Sequence, residues 1–342
     1  MKSMDEEQIQ LQLEAFVKAW EEEDVFVLDQ CVSDEPHLYF SMFGKCYEKT
    51  TLKKWIKISG DSVKRRIMQI DNHSAVMKGD RAEQYAVLLG VFVSDDSEKP
   101  QYLSFGGTFV NTLIKEDGIW KFETIRFELQ SDNGVLDEIL SDEGFISIEE
   151  GPGNRELIKG WKQVNDRVGY YMDSLKEQGD HVILAEFDAP WFKITKPDNV
   201  LSDESQIQEL FAKYAFAYDF SLFVLMRDIF TQDARIQICG IGGMGCQEAL
   251  ACMKLIRQGA PRSLTTGHVT SLECHGETAE CRIVRDLPEA LRLTSGSSIT
   301  RNLDFSCGEY YFKARKEEGI WKIYHFEYKE MENWKSLVMR SR

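Results

Sequence analysis

The stretch Glu116-Asp117-Gly118-Ile119-Trp120-Lys121-Phe122 returns as Glu317-Glu318-Gly319-Ile320-Trp321-Lys322-Ile323, 201 residues further along the chain. Each copy closes a run of strand-like segments, and each follows a similar amphipathic helical opening by about 100 residues. A period this long is a duplicated domain; solenoid units repeat every ~20–50 residues. The chain is therefore expected to build one architecture twice. Polar residues that one copy keeps and the other lacks become the first place to look for function.

Bulk properties narrow the classes. A length of 342 residues fits two or three domains of roughly 100–200 residues each. With 43% hydrophobic residues the chain can bury sizeable cores, which excludes a disordered protein. A formal charge of −16 argues against a nucleic-acid or anionic-membrane surface, either of which needs basic patches. No apolar run approaches the ~20 residues of a membrane span. The acidic start, Met1-Lys2-Ser3-Met4-Asp5-Glu6-Glu7, lacks the apolar core of a signal peptide. These features predict a soluble, cytoplasmic protein. None of the eight cysteines forms a C-x-x-C pair, so they are expected to be buried, reduced thiols behaving as small hydrophobes, not a zinc site or a disulfide framework.

Three segments emerge: a first domain at 1–131, a bridge at 132–200 and a second domain at 201–342. In the first, Ser3-x-x-Glu6 is a capping-box pattern opening an amphipathic helix with Leu13, Phe16, Val17 and Trp20 on its apolar positions. A second short helix ends before Pro36. A strand is expected over 37–43, a third helix near 51–58, then strands near 67–77, 82–93, 102–114 and 120–129, with hairpin turns at Gly79-Asp80, Asp95-Asp96 and Asp117-Gly118. The second domain repeats this grammar. Ser202 caps a helix to about 218, a helix spans 222–230, and a strand at 234–239 leads through a Gly-rich turn to a helix at 247–257. Strands follow near 268–274, 279–286, 303–314 and 321–328. Gly276 corresponds to Gly79 and Gly308 to Gly107. The bridge carries Trp161, Tyr170, Tyr171 and Trp191, too apolar for a flexible linker. It is expected to be structured, with a helix at 155–178, and to cover one copy's sheet.

Helix, helix, strand, helix and then a meander ending in Gly-Ile-Trp-Lys resembles the SnoaL-like group of the nuclear transport factor 2-like superfamily. The fullest stretch is Leu210-Phe211-Ala212-Lys213-Tyr214-Ala215-Phe216-Ala217-Tyr218-Asp219, continuing to Ile229-Phe230-Thr231-Gln232-Asp233-Ala234. The resemblance covers both copies and not the bridge. It implies an α+β fold: two cone-shaped domains, each a curved antiparallel sheet wrapped around helices, joined by the bridge. It further implies an apolar pocket and pairing through the sheets, so that the two domains form an intramolecular pseudo-dimer, with a homodimer also open. The second copy is most similar to dehydratases of ring ketones, the scytalone and bile-acid dehydratase type. The resemblance places Tyr214, Asp219 and His268 at that type's pocket Tyr, Asp and His, and more weakly Asp286 at a further acidic position. Arg301 is a candidate by chemistry alone.

The first copy departs from the pattern. Phe16 stands at Tyr214, Glu21 at Asp219 and Asp71 at His268. A phenyl ring cannot polarise a carbonyl. His73, two residues beyond Asp71, would share its face in a regular strand, which leaves a shifted constellation open.

Dehydration beside a carbonyl needs a base, a donor for the enolate oxygen and an acid for the departing hydroxyl. An imidazole, ordinarily titrating near ~6.5, suits both proton roles. In this reading His268 is base and acid, Asp219 orients it, and Tyr214 holds the carbonyl oxygen, with no metal or cofactor. The function expected is a cofactor-independent dehydratase or isomerase of a hydrophobic cyclic ketone, steroid- or polyketide-like. The alternative is a non-catalytic small-molecule-binding or protein-interaction module. Each residue also has a purely structural reading: Tyr214 as a core tyrosine, Asp219 as a cap for the next helix, His268 as a strand-end histidine. Residues five apart on a helix diverge by about 140°, so Tyr214 and Asp219 converge only if Asp219 lies at the helix end.

Gly240-Ile241-Gly242-Gly243-Met244-Gly245 spells G-x-G-x-x-G. A dinucleotide site also needs a βαβ unit and an acid some 20 residues on. Ala260-Pro261-Arg262-Ser263-Leu264 supplies none, and the glycines are expected to make a tight entry to a helix.

Overall fold

The computed structural model describes residues 4–41, 44–56, 63–94, 102–132, 182–198, 201–238, 240–259, 264–285 and 308–330. Ser3, the proposed helix at 155–178, Asp286 and Arg301 lie outside the described residues. The chain divides into two compact units, residues 3–199 and residues 200–342 together with 1–2. Each is a cone-shaped α+β unit built on its own six-stranded sheet.

The first unit opens with α1 (Met4–Glu22) and α2 (Val25–Cys31), the latter capped by the Asp24 carboxylate, which accepts from the N–H groups of Phe26 and Val27. Then come β1 (Val32–Phe40), β2 (Gly44–Cys46), α3 (Lys49–Ile56) and a meander of β3 (Val63–Lys78), β4 (Arg81–Ser94), β5 (Tyr102–Glu116) and β6 (Ile119–Asp132). Two short helices, α4 (Ala185–Asp188) and α5 (Pro190–Lys193), follow within the described part of the bridge. The second unit has α6 (Asp203–Asp219), α7 (Phe223–Ile229), β7 (Phe230–Ile238), β8 (Ile241–Met244), α8 (Cys246–Gly259), β9 (His268–His275), β10 (Thr278–Arg285), β11 (Gly308–Glu317) and β12 (Ile320–Glu330).

Strand order is β2-β1-β6-β5-β4-β3 in one sheet and β8-β7-β12-β11-β10-β9 in the other, the same permutation twice. Neighbours are antiparallel except β1 with β6 and β7 with β12, which run parallel. The opening strand thus returns beside the last strand of the meander. Both opening strands start earlier than the sequence pattern suggests, directly after the preceding helix, and both show the same alternation of buried and exposed residues. Pro36 lies where the β1–β6 register shifts, between Val32 and His37, so its missing N–H breaks no ladder bond.

The repeated Gly-Ile-Trp-Lys motif now has a physical reason. Asp117 and Gly118 both take positive φ, as do Glu318 and Gly319, which is what a two-residue hairpin with the native strand twist requires. One residue past each Ile, Trp120 and Trp321 point inward and are almost fully buried. Trp120 Nε1 donates to the carboxylate of Asp5 at 3.0 Å, and Lys115 Nζ binds the same oxygen at 2.6 Å. Trp321 Nε1 donates to Asp203 at 2.9 Å, with Lys316 Nζ at 3.0 Å from its other oxygen. In each unit a carboxylate in the first turn of the opening helix latches that helix to the closing hairpin, where the helix dipole also favours an anion.

The G-x-G-x-x-G stretch is an antiparallel hairpin between β7 and β8 that turns into α8. Gly240 and Gly245 have φ of +80 and +84. A side chain on Gly243 would come within 2.9 Å of the Ala249 backbone nitrogen. The glycines serve turn geometry and close helix approach.

The outer face of the first sheet carries the described end of the bridge. The Tyr85 and Trp191 rings meet at 5.9 Å, Lys193 Nζ binds buried Glu83 at 3.1 Å, and the Ile183 N–H donates to Glu128. Asp198 is tied to the β3–β4 turn through Met77 and Gly79. β4 is consequently buried on both faces. On β10 the outer positions Glu280, Arg282 and Val284 remain partly or fully exposed.

Candidate functional site

In the second unit, α6 presents Phe211, Tyr214 and Tyr218 along one stripe, at the three- and four-residue spacing of helix neighbours. Tyr214 is 2% exposed. Its ring lies 4.4 Å from that of Phe326, 5.8 Å from Tyr218 and 6.2 Å from Tyr310. The sheet answers with its own inward positions. Tyr310, Phe312 and Ala314 alternate inward on β11, and Tyr310 pairs directly across from Tyr328 on β12, their rings 4.5 Å apart.

On β10 the buried positions are Ala279, Cys281 and Ile283. The next residue on that face is Arg285, partner of Gly308 in the β10–β11 register. A side chain on Gly308 would strike the Tyr328 ring at 2.5 Å. The glycine leaves room for that ring, and Arg285 and Tyr328 share the end of the cone's interior.

The electrostatics follow from burial. Desolvation pushes the Tyr214 hydroxyl well above its ordinary range, and Tyr310, Tyr218 and Asp219 push it further. Tyr310 is also raised by desolvation, with Arg285 acting in the opposite sense. Both stay protonated and are hydrogen-bond donors at any ordinary pH. Burial works against the charge of Arg285, but Tyr310, Tyr328 and Asp219 outweigh it and hold the guanidinium raised. The guanidinium is hydrogen-bonded with Tyr328, but its Nε is buried with no hydrogen-bond partner among the described residues, an omission that costs about 1–3 kcal/mol.

Asp219 is the last residue of α6, where the chain turns through Ser221 at φ +57. It is 6% exposed. The Thr265 N–H donates to its two oxygens at 3.1 and 2.9 Å, and the Thr265 hydroxyl at 2.7 Å. Asp219 therefore fixes the segment leading into β9. Glu21, its counterpart at the end of α1, accepts from the Met68 N–H of β3 at 2.9 Å. The helix-end carboxylate clamps the entering meander strand in both units.

His268 begins β9, three residues beyond Thr265, and is partly buried. It pairs with Val284, one residue out of step with Arg285. Tyr214 and Asp219 thus share the interior with Arg285, Tyr310 and Tyr328, while His268 stands at the neighbouring strand entrance.

The registers of the two sheets equate these positions. Phe109 pairs with Phe127, and Leu88 with Gly107, as Tyr310 pairs with Tyr328 and Arg285 with Gly308. Where the second unit has Tyr214, Tyr310, Tyr328 and Arg285, the first has Phe16, Phe109, Phe127 and Leu88. The first unit closes this region as a hydrocarbon cluster: Phe16 meets Phe109 at 6.2 Å, and Phe109 meets Phe127 at 4.7 Å. Arg285, Tyr310 and Tyr328 were legible by carrying the alignment of Gly79 with Gly276, and of Gly107 with Gly308, along the strands. The helix-borne Tyr214 alone draws attention to one of four linked changes.

In the first unit, Asp71 is buried and accepts from Gln69 at 2.9 Å. Asn72 takes φ +55 at a register shift between Asp71 and Ser74, so the shared face of Asp71 and His73 expected in a regular strand does not apply. His73 Nε2 lies 3.0 Å from Gln84 Nε2. Gln84 in turn binds Asn111 and the Ile9 carbonyl. This polar network ties α1 to the sheet.

Residues 199–327 match the family model described as SnoaL-like domain. A comparison with curated proteins finds no match. Among solved structures, a putative scytalone dehydratase from Novosphingobium aromaticivorans is 13% identical, over 37% of this chain and 84% of that one, at a TM-score of 0.34. A type 2 hexachlorocyclohexane dehydrochlorinase (LinA) is 12% identical, over 36% and 84%, also at 0.34. A nuclear transport factor 2-like protein from Salmonella enterica is 13% identical, over 36% and 89%, at 0.32. The second unit is thus SnoaL-like in sequence, and the first repeats its strand order. Among the described residues no helix is long and apolar enough to cross a membrane.

Proposed function

We propose that the second unit is a cofactor-independent acid/base site for a hydrophobic cyclic ketone, carrying out dehydration or isomerisation. The observation that carries this reading is the matched replacement of Phe16, Phe109, Phe127 and Leu88 by Tyr214, Tyr310, Tyr328 and Arg285. The first unit forms the same sheet without these polar groups, so the fold does not demand them. Tyr214, kept protonated by burial, is assigned to hold the carbonyl oxygen as it gains enolate charge. A donor in a low-dielectric interior stabilises that charge more than water does. His268 is assigned the proton transfer, and Asp219, fixed by Thr265, the positioning of the strand entrance. Asp286, the next residue in the sequence after Arg285, is carried as a further acid.

A second reading is favoured by one specific observation. Asp219 is engaged by Thr265 as Glu21 is by Met68, which is the behaviour of a structural clamp. In that case the unit holds a ligand without transforming it.

The deciding measurement is exchange of α-protons in D2O, followed by NMR, for a panel of hydrophobic cyclic ketones such as 1-tetralone. Enolate formation predicts exchange above buffer rate, lowered at least tenfold by Tyr214→Phe and by His268→Ala. Saturable binding with buffer-rate exchange selects the carrier reading.

A further inference from the structure

We propose that Arg285, Tyr310 and Tyr328 form a carboxylate-binding subsite, so that the second unit's ligand is an apolar ring compound bearing a carboxylate. This rests on the reading of the second unit as a small-molecule site and adds the chemical class of its ligand.

The geometry comes first. Arg285 follows Ala279, Cys281 and Ile283 on the inward face of β10, and its partner across the ladder is Gly308, which has no side chain. The Tyr328 ring fills the space against that glycine, and Tyr310 stands directly opposite Tyr328. One guanidinium and two phenols are therefore gathered at one end of the sheet's inner surface. The Arg285 and Tyr328 side chains are hydrogen-bonded to each other, and the Nε donor of Arg285 is buried with no acceptor among the described residues.

Native interiors rarely leave a buried donor without a partner, and exceptions call for an explanation. Here the fold supplies its own control. Leu88 and Phe127 occupy the same two positions in the first unit and are almost fully buried. Neither packing nor topology calls for a cation at position 285. Asp219 balances the guanidinium charge at a distance while its oxygens are held by Thr265, and it gives Nε no acceptor. What remains unmet among the described residues is an acceptor for the Arg285 Nε.

The guanidinium selects the acceptor. A ketone oxygen offers two lone pairs, and Tyr214 already claims that role in the proposed chemistry. A carboxylate offers about four acceptor sites and is the natural partner of a guanidinium. Burial keeps the Tyr310 phenol protonated, so it donates to an anion instead of repelling it. The apolar rings of Phe211, Phe326 and the tyrosines themselves suit the rest of the molecule to hydrocarbon.

The probes are 1-tetralone-6-carboxylate and its methyl ester, titrated calorimetrically into the full chain and into Arg285→Leu, Arg285→Lys and Tyr328→Phe, with α-proton exchange followed on both compounds. The acid should bind the intact protein at least about tenfold tighter than the ester, a difference of ~1.4 kcal/mol. Arg285→Leu should equalise the two, and Arg285→Lys should retain part of the preference. Tyr328→Phe should weaken the acid more than the ester, and it serves as the reporter if Arg285→Leu fails to fold. Equal binding of acid and ester, a preference that survives Arg285→Leu, or no binding of either probe at millimolar concentration would each overturn the subsite. Exchange of the ester's α-protons without any preference for the acid would remove the subsite and leave the ketone chemistry standing. An Arg285-dependent preference with buffer-rate exchange would do the reverse.

Discussion

Tyr310 and Tyr328 face one another across the β11–β12 ladder with rings 4.5 Å apart, at the register position where the first unit pairs Phe109 with Phe127 at 4.7 Å. The same frame thus holds hydroxyls in one copy and hydrocarbon in the other, and the exchange of residues between copies becomes an experiment.

Replacing Tyr310 and Tyr328 by Phe together with Arg285 by Leu should change the stability of the second unit by no more than about 1 kcal/mol, because the first unit's frame accepts Phe109, Phe127 and Leu88 at these positions and the buried polar groups are removed together. Ligand affinity should fall. The reverse change, Phe109→Tyr in the first unit, buries a hydroxyl among hydrocarbon and should destabilise by about 1–3 kcal/mol. Urea unfolding of the two variants beside the parent chain checks both.

Asp219→Ala removes the acceptor for the Thr265 N–H and hydroxyl. Hydrogen bonds to a charged group are worth about 1.5–3 kcal/mol each as deletions are scored, and Thr265 is itself buried. A loss of about 2–4 kcal/mol in the second unit is expected, with Asp219→Asn falling between. Glu21→Ala, which frees the Met68 N–H and an exposed Lys18 ammonium, should cost less. A denaturation midpoint for Asp219→Ala equal to that of the intact chain would remove the clamp.

The latches make stability depend on acid. Asp5 is held below its ordinary 3.8 by hydrogen bonds from Lys115 and Trp120, and Asp203 by those from Lys316 and Trp321. A carboxylate depressed in the folded state contributes stability that is present above its unfolded value of 3.8 and is lost as pH falls through the lower folded value. Thermal midpoints should therefore be insensitive to these two groups above about pH 5 and decline below about pH 4. Both carboxylates are substantially exposed, so screening keeps the effect small. Asp203→Ala should flatten part of the acid limb. It should also lower stability at neutral pH by about 1–3 kcal/mol, because it strands the buried Trp321 N–H.

Gly308→Ala places a methyl group against the Tyr328 ring. Overpacking of this kind costs about 1–3 kcal/mol, and displacement of the ring should weaken any ligand held by Tyr328. Gly107→Ala meets both the Glu128 carbonyl and the Phe127 ring at 2.5 Å. It should be at least as destabilising while leaving ligand affinity unchanged. Differential scanning calorimetry and titration of one probe across both variants separate the two effects.

Much of this molecule was determined by sequence alone. The duplication, the order of helices and meander strands, and the hairpins at Asp117-Gly118 and Glu318-Gly319 follow from periodicity and turn chemistry, which are local. So does the role of Gly240 to Gly245 as turn and helix entry. The contrast between Phe16 and Tyr214 was also legible, because both lie in helices of recognisable pattern. Other features depend on strands far apart in the chain. The parallel return of β1 beside β6 joins residues about 90 positions apart, and nothing within β1 states its neighbour. The latch from Asp203 to Trp321 spans 118 residues. The meeting of Arg285 with Tyr328 requires the register of β10 on β11 and of β11 on β12, and a one-residue slip in either would turn the side chain to the other face. Sequence supplied the residue types and the alternation that carries them. Only the tertiary structure, by fixing register and removing water, turned an arginine at a strand end and two tyrosines into neighbours with an unmet donor.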